Sequence, residues 1–431
     1  MYIFFMEKII CSLEDWDSIL DYYRPNGSSK TWYIKESKTI SIPHTMGLWN
    51  IFTEDGEMFE INQLKPPITP KFNNFIEYTP KEKIQSRPHI YIINIYTNTF
   101  FKNNLDIGFQ CISEQYLEDI KNGKSKILMF FMYEGYSGMG DNKDFEVIEE
   151  WRLKSNLPRN SIYYVCGNLL SENIVRERGL GFRAKGISYF EPWNKYNGDI
   201  VEFKPTNEKY LFLSYNRQYR EQRIRFIIDL LEKNLIHKGL ISINKITNIP
   251  YEVTDTVKMF FHYETPMVID TMPDLKYNLA INITKEDYER TFISVVTETL
   301  VDEGTLFFSE KIWKPIMVGH PFMVYGNQYS LKYLKSIGFK TFDKWIDESY
   351  DNEPNRDIRS KLIVNELVKL NNKTIEDLTR MREEMLEICA HNFNYFKNYY
   401  KEKYGDNDES ITINDTILEI WSEIKNKKKL I

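Results

Sequence analysis

Four clusters along the chain combine residue types that can bind or activate a polar ligand. The first is Ser309-Glu310-Lys311, which opens a short helical pattern that runs to a glycine stop at Gly319. Ser309 is a good N-cap, because its hydroxyl can accept from an orphan amide of the first turn. Glu310 suits the positive end of the helix dipole, whereas Lys311 does not, unless an anion sits there with it. Helix N-termini hold phosphates with the same amides, so Ser309, Glu310 and Lys311 together are a candidate anion site. The second is Thr297-Glu298-Thr299, where a carboxylate follows the buried run Ser294-Val295-Val296 and could meet a hydroxyl-bearing ligand. The third, Ser214-Tyr215-Asn216-Arg217-Gln218-Tyr219-Arg220, stands between a strand pattern and a helix pattern, where open α/β sheets bind ligands. The fourth is Glu134, inside the glycine-rich stretch Tyr133-Glu134-Gly135-Tyr136-Ser137-Gly138 after the most hydrophobic strand. A strand-end carboxylate of that kind could serve as a general base. Each has a plainer alternative: a surface Glu310–Lys311 pair, a capping Glu298, a solvated arginine face, a loop carboxylate at Glu134. Gly326 and Asn327, at the end of the Pro321–Tyr325 run, are further candidates for approach to a ligand. His320 reads as packed, and Pro315 should kink the helix.

These clusters need elements to hold them. Residues 89–95, 126–133 and 161–166 read as buried strands, with helices over 112–121 and 144–157 between them. Strand and helix alternating at this spacing predict a parallel doubly wound sheet. The second half repeats the pattern: strands at 209–214, 293–297 and 320–325, a basic helix over 220–234 and a long helix over 374–400. The fold class is therefore α/β, with two Rossmann-like doubly wound domains facing a cleft. The expected divisions are residues 1–200 (1–80 irregular, 88–200 Rossmann-like), 205–395, and a C-terminal helix and charged tail over 396–431.

Bulk properties narrow the function classes. The chain has 431 residues, enough for two domains, with 42% hydrophobic and 27% charged residues, as in soluble globular proteins. The net charge of −6 weighs against a large nucleic-acid interface. Cys11, Cys111, Cys166 and Cys389 are scattered, which fits reduced thiols rather than a disulfide framework or a zinc site. The six histidines show no metal-ligand spacing. No apolar run approaches the about 18 residues a membrane span needs, and the N-terminus lacks a signal-peptide pattern. The expectation is a cytoplasmic protein, in the host cytoplasm for a viral chain.

Ser309-Glu310-Lys311, a short helix, then Gly319-His320-Pro321-Phe322-Met323-Val324-Tyr325-Gly326 resembles the nucleotide-sugar signature of α1,3-fucosyltransferase-like glycosyltransferases, which read Thr-Glu-Lys followed by a Gly-x-Pro strand. A broad set of viral and bacterial glycosyltransferase-like proteins is more similar still. They continue, as here, into Leu331-Lys332-Tyr333-Leu334, Gly338-Phe339-Lys340-Thr341-Phe342 and Ile346-Asp347-Glu348-Ser349-Tyr350-Asp351. The resemblance covers about residues 210–395 and is strongest over 294–351. It implies a GT-B architecture and a nucleoside-diphosphate-sugar donor as co-substrate, with no further cofactor. It places Glu310 and Lys311 on ribose and diphosphate, Glu298 on the donor, and Arg217 on the diphosphate. Thr299 stands where fucosyltransferases carry Asn, which leaves the sugar open. The resemblance also implies inversion and a base in the first domain. No Asp-x-Asp occurs in a strand–loop setting, which favours a metal-independent mechanism. The expected acceptor is a glycan hydroxyl. A hydroxylated base in DNA and a catalytically inactive nucleotide- or sugar-binding protein are the alternatives.

Overall fold

A computed structural model of the chain describes residues 9–13, 40–41, 51–52, 58–59, 76–78, 88–95, 114–131, 143–187, 198–205, 210–216, 220–246, 248–267, 269, 283–301, 303–404 and 411–427. It divides into two compact units, Met1–Tyr189 with Lys403–Ile431, and Phe190–Glu402.

The first unit holds a six-stranded sheet in the order β5-β1-β6-β7-β8-β9, every pairing parallel. Its strands are β1 (Ile9–Leu13), β5 (Ile76–Tyr78), β6 (His89–Ile95), β7 (Ser125–Phe131), β8 (Ile162–Cys166) and β9 (Arg183–Gly186). Three short strands, β2 (Ile40–Ser41), β3 (Ile51–Phe52) and β4 (Met58–Phe59), pair antiparallel in a separate sheet. Helices α1 (Glu114–Lys121), α2 (Lys143–Lys154) and α3 (Ser171–Glu177) connect β6 through β9. Their apolar residues join one core: Tyr116, Ile120, Phe145, Ile148 and Val175 pack with Ile127, Met129, Ile162 and Tyr164. Strand β8 is buried at every position. That is why it reads as a continuous apolar run, since helices cover both faces of a parallel sheet.

The second unit carries β10 (Tyr210–Asn216), β11 (Gly239–Ile243), β12 (Thr291–Thr297) and β13 (Phe322–Tyr325). Their order is β11-β10-β12-β13, again all parallel. Helix α4 (Glu221–Glu232) links β10 to β11. The chain then passes through α5 (Asp255–Tyr263) and α6 (Lys285–Arg290) to the other side of β10. The order therefore reverses between β10 and β12; the carboxyl ends of strands at such a reversal are where open α/β sheets commonly bind ligands. Helix α7 (Glu310–Met317) follows β12 and α8 (Ser330–Ser336) follows β13. Helices α9 (Arg356–Asn371) and α10 (Ile375–Tyr404) close the unit. Trp313 anchors α7. It is fully buried, with its ring 5.5 Å from Phe396 and 5.7 Å from Phe339.

The stretch expected to end as a charged tail contains helix α11 (Ile411–Lys427). It returns to the first unit, where Glu423 pairs with Lys126 and Glu419 with Arg183. Ile413, Ile417, Ile420 and Ile424 recur at helical spacing, and Ile420 and Ile424 are buried. That periodicity was in the sequence, masked by the surrounding lysines and glutamates. No helix among the described residues is long and apolar enough to cross a membrane.

Candidate functional site

Helix α7 begins as its sequence dictates. Ser309 is the N-cap in extended conformation, and its hydroxyl accepts from Lys311 N at 3.3 Å. Its end is equally local: Gly319 adopts φ +65, with Gly319 N donating to Ile316 O and His320 N to Pro315 O. These are the paired bonds of a glycine-terminated helix end. Pro315 lies inside the helix, which runs on past it to Met317.

The carboxyl end of β12 meets this helix start. Glu298 is fully buried, and its Oε2 accepts from Ser309 N at 3.1 Å and from Ser309 Oγ at 2.5 Å. Ser309 Oγ in turn accepts from Lys311 Nζ at 3.1 Å. The same ammonium donates to Glu310 Oε1 at 2.8 Å and to Thr299 Oγ1 at 3.4 Å. So Glu298, Thr299, Ser309, Glu310 and Lys311 form one polar cluster, and the anions beside Lys311 are the chain's own carboxylates. Glu310 and Lys311 keep about a fifth of their side chains exposed (18% and 20%), while Glu298 faces inward.

The electrostatics divide the two carboxylates. Burial pushes both upward. At Glu298 burial prevails over the opposing Lys311 charge and Ser309 bonds, and its carboxyl stands above the ordinary value. At Glu310 the charge and hydrogen bond of Lys311 prevail, and its carboxyl stands below it. One carboxylate is readily ionised beside a lysine, and the other sits in a pocket that disfavours its charge. Glu298 Oε1 is buried with no hydrogen-bond partner among the described residues.

Strand β10 reaches the same place. Asn216 is buried, and its Oδ1 accepts from Thr297 Oγ1 at 2.5 Å while its Nδ2 donates to Ser214 Oγ at 2.9 Å. It therefore ties β10 to β12 at the switch point. The first turn of α4 adds Gln222, which donates to Thr299 O at 2.7 Å, and Arg223, which donates to Thr297 O at 3.2 Å. Arg217 and Glu134 lie outside the described residues.

Gly326 and Asn327 frame the site from β13. A Cβ at Gly326 would come within 3.0 Å of Ser330 Oγ and Val324 Cγ1 and 3.3 Å of Glu298 Cγ, so the glycine keeps this packing close and any larger residue would press on it. Asn327 is buried and structural: it accepts from Phe307 N at 3.1 Å and donates to Thr305 Oγ1 at 2.8 Å, fixing the approach to Ser309. Arg359, in α9, escaped the sequence reading. It is 1% exposed and donates to four backbone carbonyls: Val301, Gly326, Glu353 and Pro354. It thereby fastens together the segments that follow β12 and β13. Nothing local marks an arginine in a helix as a staple for loops about 30 and 60 residues upstream.

Other conspicuous residues prove structural. His320 is buried, its Nε2 3.0 Å from Thr291 O and its Nδ1 3.0 Å from Ser294 Oγ. Burial and the nearby Arg382 hold its ring well below the usual histidine range. Asp351 receives Leu331 N and Lys332 N and so caps α8, and Asp347 receives Ser349 N. No cluster of three or more His, Cys, Asp or Glu side chains suited to a metal occurs among the described residues.

No protein-family description matches the chain, and no curated protein matches it significantly. Among solved structures, Anabaena Alr3699/HepE in complex with UDP and glucose aligns at 10% identity and TM-score 0.37, over 82% of this chain and 87% of that one. The catalytic domain of starch synthase IV from Arabidopsis thaliana, bound to ADP and acarbose, aligns at 11% and 0.35, over 74% and 73%. The glycotransferase of kitacinnamycin aligns at 9% and 0.26, over 72% and 75%. Scores of this size carry no argument about activity.

Proposed function

We propose that the chain is a glycosyltransferase that takes a nucleoside-diphosphate sugar at the carboxyl ends of β10 and β12. The supporting observation is the Glu298–Ser309–Lys311–Glu310 cluster, seated at the strand-order reversal of a parallel sheet and at the amino end of α7. A lysine and helix amides suit a diphosphate, and the partly exposed Glu310 suits ribose hydroxyls. The resemblance to fucosyltransferase-like enzymes points the same way. In this reading Lys311 exchanges its bond to Glu310 for the diphosphate. Glu298 does not touch the ligand; its buried carboxylate fixes Ser309 and so orients the lysine. Arg217 would add a bidentate guanidinium to the diphosphate, and Glu134 would act as base on the acceptor hydroxyl, a glycan in the leading case. With lysine, arginine and amides stabilising the leaving group, transfer needs no metal, and the fucosyltransferase resemblance alone supports inversion.

Thermal-shift titration against UDP-, GDP-, CDP- and dTDP-sugars tests the proposal. A donor at 100 times its dissociation constant stabilises by about 2.7 kcal/mol. Lys311→Ala should weaken that binding by roughly 1.5–3 kcal/mol, the cost of a lost charge-assisted contact, with the fold intact. Wild-type affinity in Lys311→Ala, or no response to any nucleotide sugar, sinks the assignment. Donor hydrolysis that persists in excess EDTA supports the metal-free mechanism. Donor binding without any turnover would instead favour an inactive binding protein.

A further inference from the structure

Glu298 uses its two carboxyl oxygens unequally. Oε2 accepts from Ser309 N and Ser309 Oγ, whereas Oε1 is buried with no hydrogen-bond partner among the described residues. The whole side chain is shielded from solvent. A buried carboxylate oxygen left without a donor is costly while it carries charge. The strongest charge opposing that cost is the Lys311 ammonium, linked to Glu298 through Ser309 Oγ at 3.1 Å.

The other elements packed against Glu298 bring little that could replace this cation. From α7 it faces Lys311 and also Glu310, a like charge. The first turn of α4 brings Gln222, whose amide donates to Glu298 O at 3.5 Å, and Arg223, which donates to Thr297 O at 3.2 Å. From the end of β13 come Tyr325 O, which accepts from Glu298 N, and Gly326, whose own carbonyl holds Arg359 of α9. Lys311 itself is shared, because it also donates to Glu310 Oε1 at 2.8 Å and Thr299 Oγ1 at 3.4 Å. An ionised Glu298 therefore depends on a lysine that the donor reading sends to the diphosphate.

Resting on that reading, we propose that Glu298 couples donor binding to proton uptake. A diphosphate that draws Lys311 away from Ser309 adds negative charge beside a buried carboxylate that has just lost its nearest cation. Oε1 then takes a proton from solvent: an O–H bond forms there, Oε2 keeps its two bonds from Ser309, and Lys311 remains an ammonium. The proton returns to solvent when the nucleotide leaves. An opposite charge favours ionisation and a like charge disfavours it, so the sign is fixed. Donor binding raises the proton affinity of Glu298, and protons raise donor affinity by the same factor. Glu310 loses the same partner, but it is partly exposed and its carboxyl starts below the ordinary range, whereas Glu298 starts above it. The response of Glu310 therefore falls at more acid pH.

Calorimetric titration of the full-length protein with UDP-glucose, GDP-fucose and dTDP-glucose tests the coupling, since none of these probes titrates from about pH 5 to about pH 8. The wild type should bind at least one of them more weakly as pH rises. Across that range the loss should be roughly fivefold or more, the lower end of ordinary coupling between sites. Titrations in buffers of different ionisation heat should show net proton uptake. Glu298→Gln keeps an oxygen to accept from Ser309 but cannot ionise, so it should lose both the pH dependence and the uptake. Glu310→Gln should keep the pH dependence. Failure of the donor reading looks different: no probe binds, or Lys311→Ala binds like wild type, and the coupling falls with it. The coupling alone is overturned if Lys311→Ala weakens binding while wild-type affinity is flat with pH, or if Glu298→Gln keeps the wild-type pH dependence. The wild-type measurements give the sign even if a variant fails to fold.

Discussion

Replacing Arg359 by lysine should loosen the candidate site from a position that contacts no ligand. The guanidinium spans four carbonyls through Nε, Nη1 and Nη2, at distances that include 2.9 Å and 2.7 Å to Glu353 O and 3.1 Å to Pro354 O. A lysine ammonium has three donors at a single point, so it can reach the Glu353–Pro354 side or the Val301–Gly326 side but not both. At least two carbonyls then lose their donor. Each buried unsatisfied group costs about 1–3 kcal/mol, and entry of water offsets part of it, so Arg359→Lys should destabilise by roughly 2–4 kcal/mol. Urea unfolding of wild type and variant measures the difference. Hydrogen exchange should show faster opening around Val301 and Gly326, with α11 unaffected. On the proposed reading, donor affinity should fall as well, because Gly326 packs over Glu298. A stability change under about 0.5 kcal/mol, the level of an ordinary surface substitution, would refute the staple.

Three further outcomes follow from the second unit. Glu298→Gln should flatten the pH dependence of stability. Burial raises this carboxyl in the folded state, so the folded form binds the proton more tightly, and stability falls as pH rises from the unfolded value of 4.5 through the folded one. The variant should therefore gain on wild type at pH 8 relative to pH 4, by about 1.4 kcal/mol per unit of upward shift; an equal offset at both pH values would contradict this. Gly319→Ala should cost about 1–2 kcal/mol from its left-handed backbone alone. Its Cβ would also come within 2.7 Å of Ile200 Cγ2, and unchanged thermal stability would count against the helix end described. Arg382 is fully buried, and among the described residues it has one hydrogen bond, to Phe292 O, and two nitrogens without partners; burial pushes it down to about 10. Arg382→Met should therefore be neutral or stabilising by up to about 4 kcal/mol, and a large loss in unfolding free energy would show that the charge is needed.

Much of the local structure was legible in the residues themselves. The helix from Ser309 to the glycine at 319, the strands at 89–95 and 161–166, and the packing role of His320 follow from signals spanning a few residues: a capping hydroxyl, a glycine at positive φ, unbroken apolar runs. Helix α11 was legible too, in isoleucines at helical spacing, but its return to the first unit was not. Strand order is the clearest case of what tertiary structure alone decides. Strands β10 and β12 are separated by 74 residues from the end of one to the start of the other, yet they are neighbours and share the bond from Thr297 to Asn216. Strands buried on both faces carry no alternation that would encode a partner or a register. The same holds for Glu298, whose residue type promises a ligand contact. Whether it faces solvent or Ser309 depends on where β12 ends against α7, and that is set by packing between segments that share no local code.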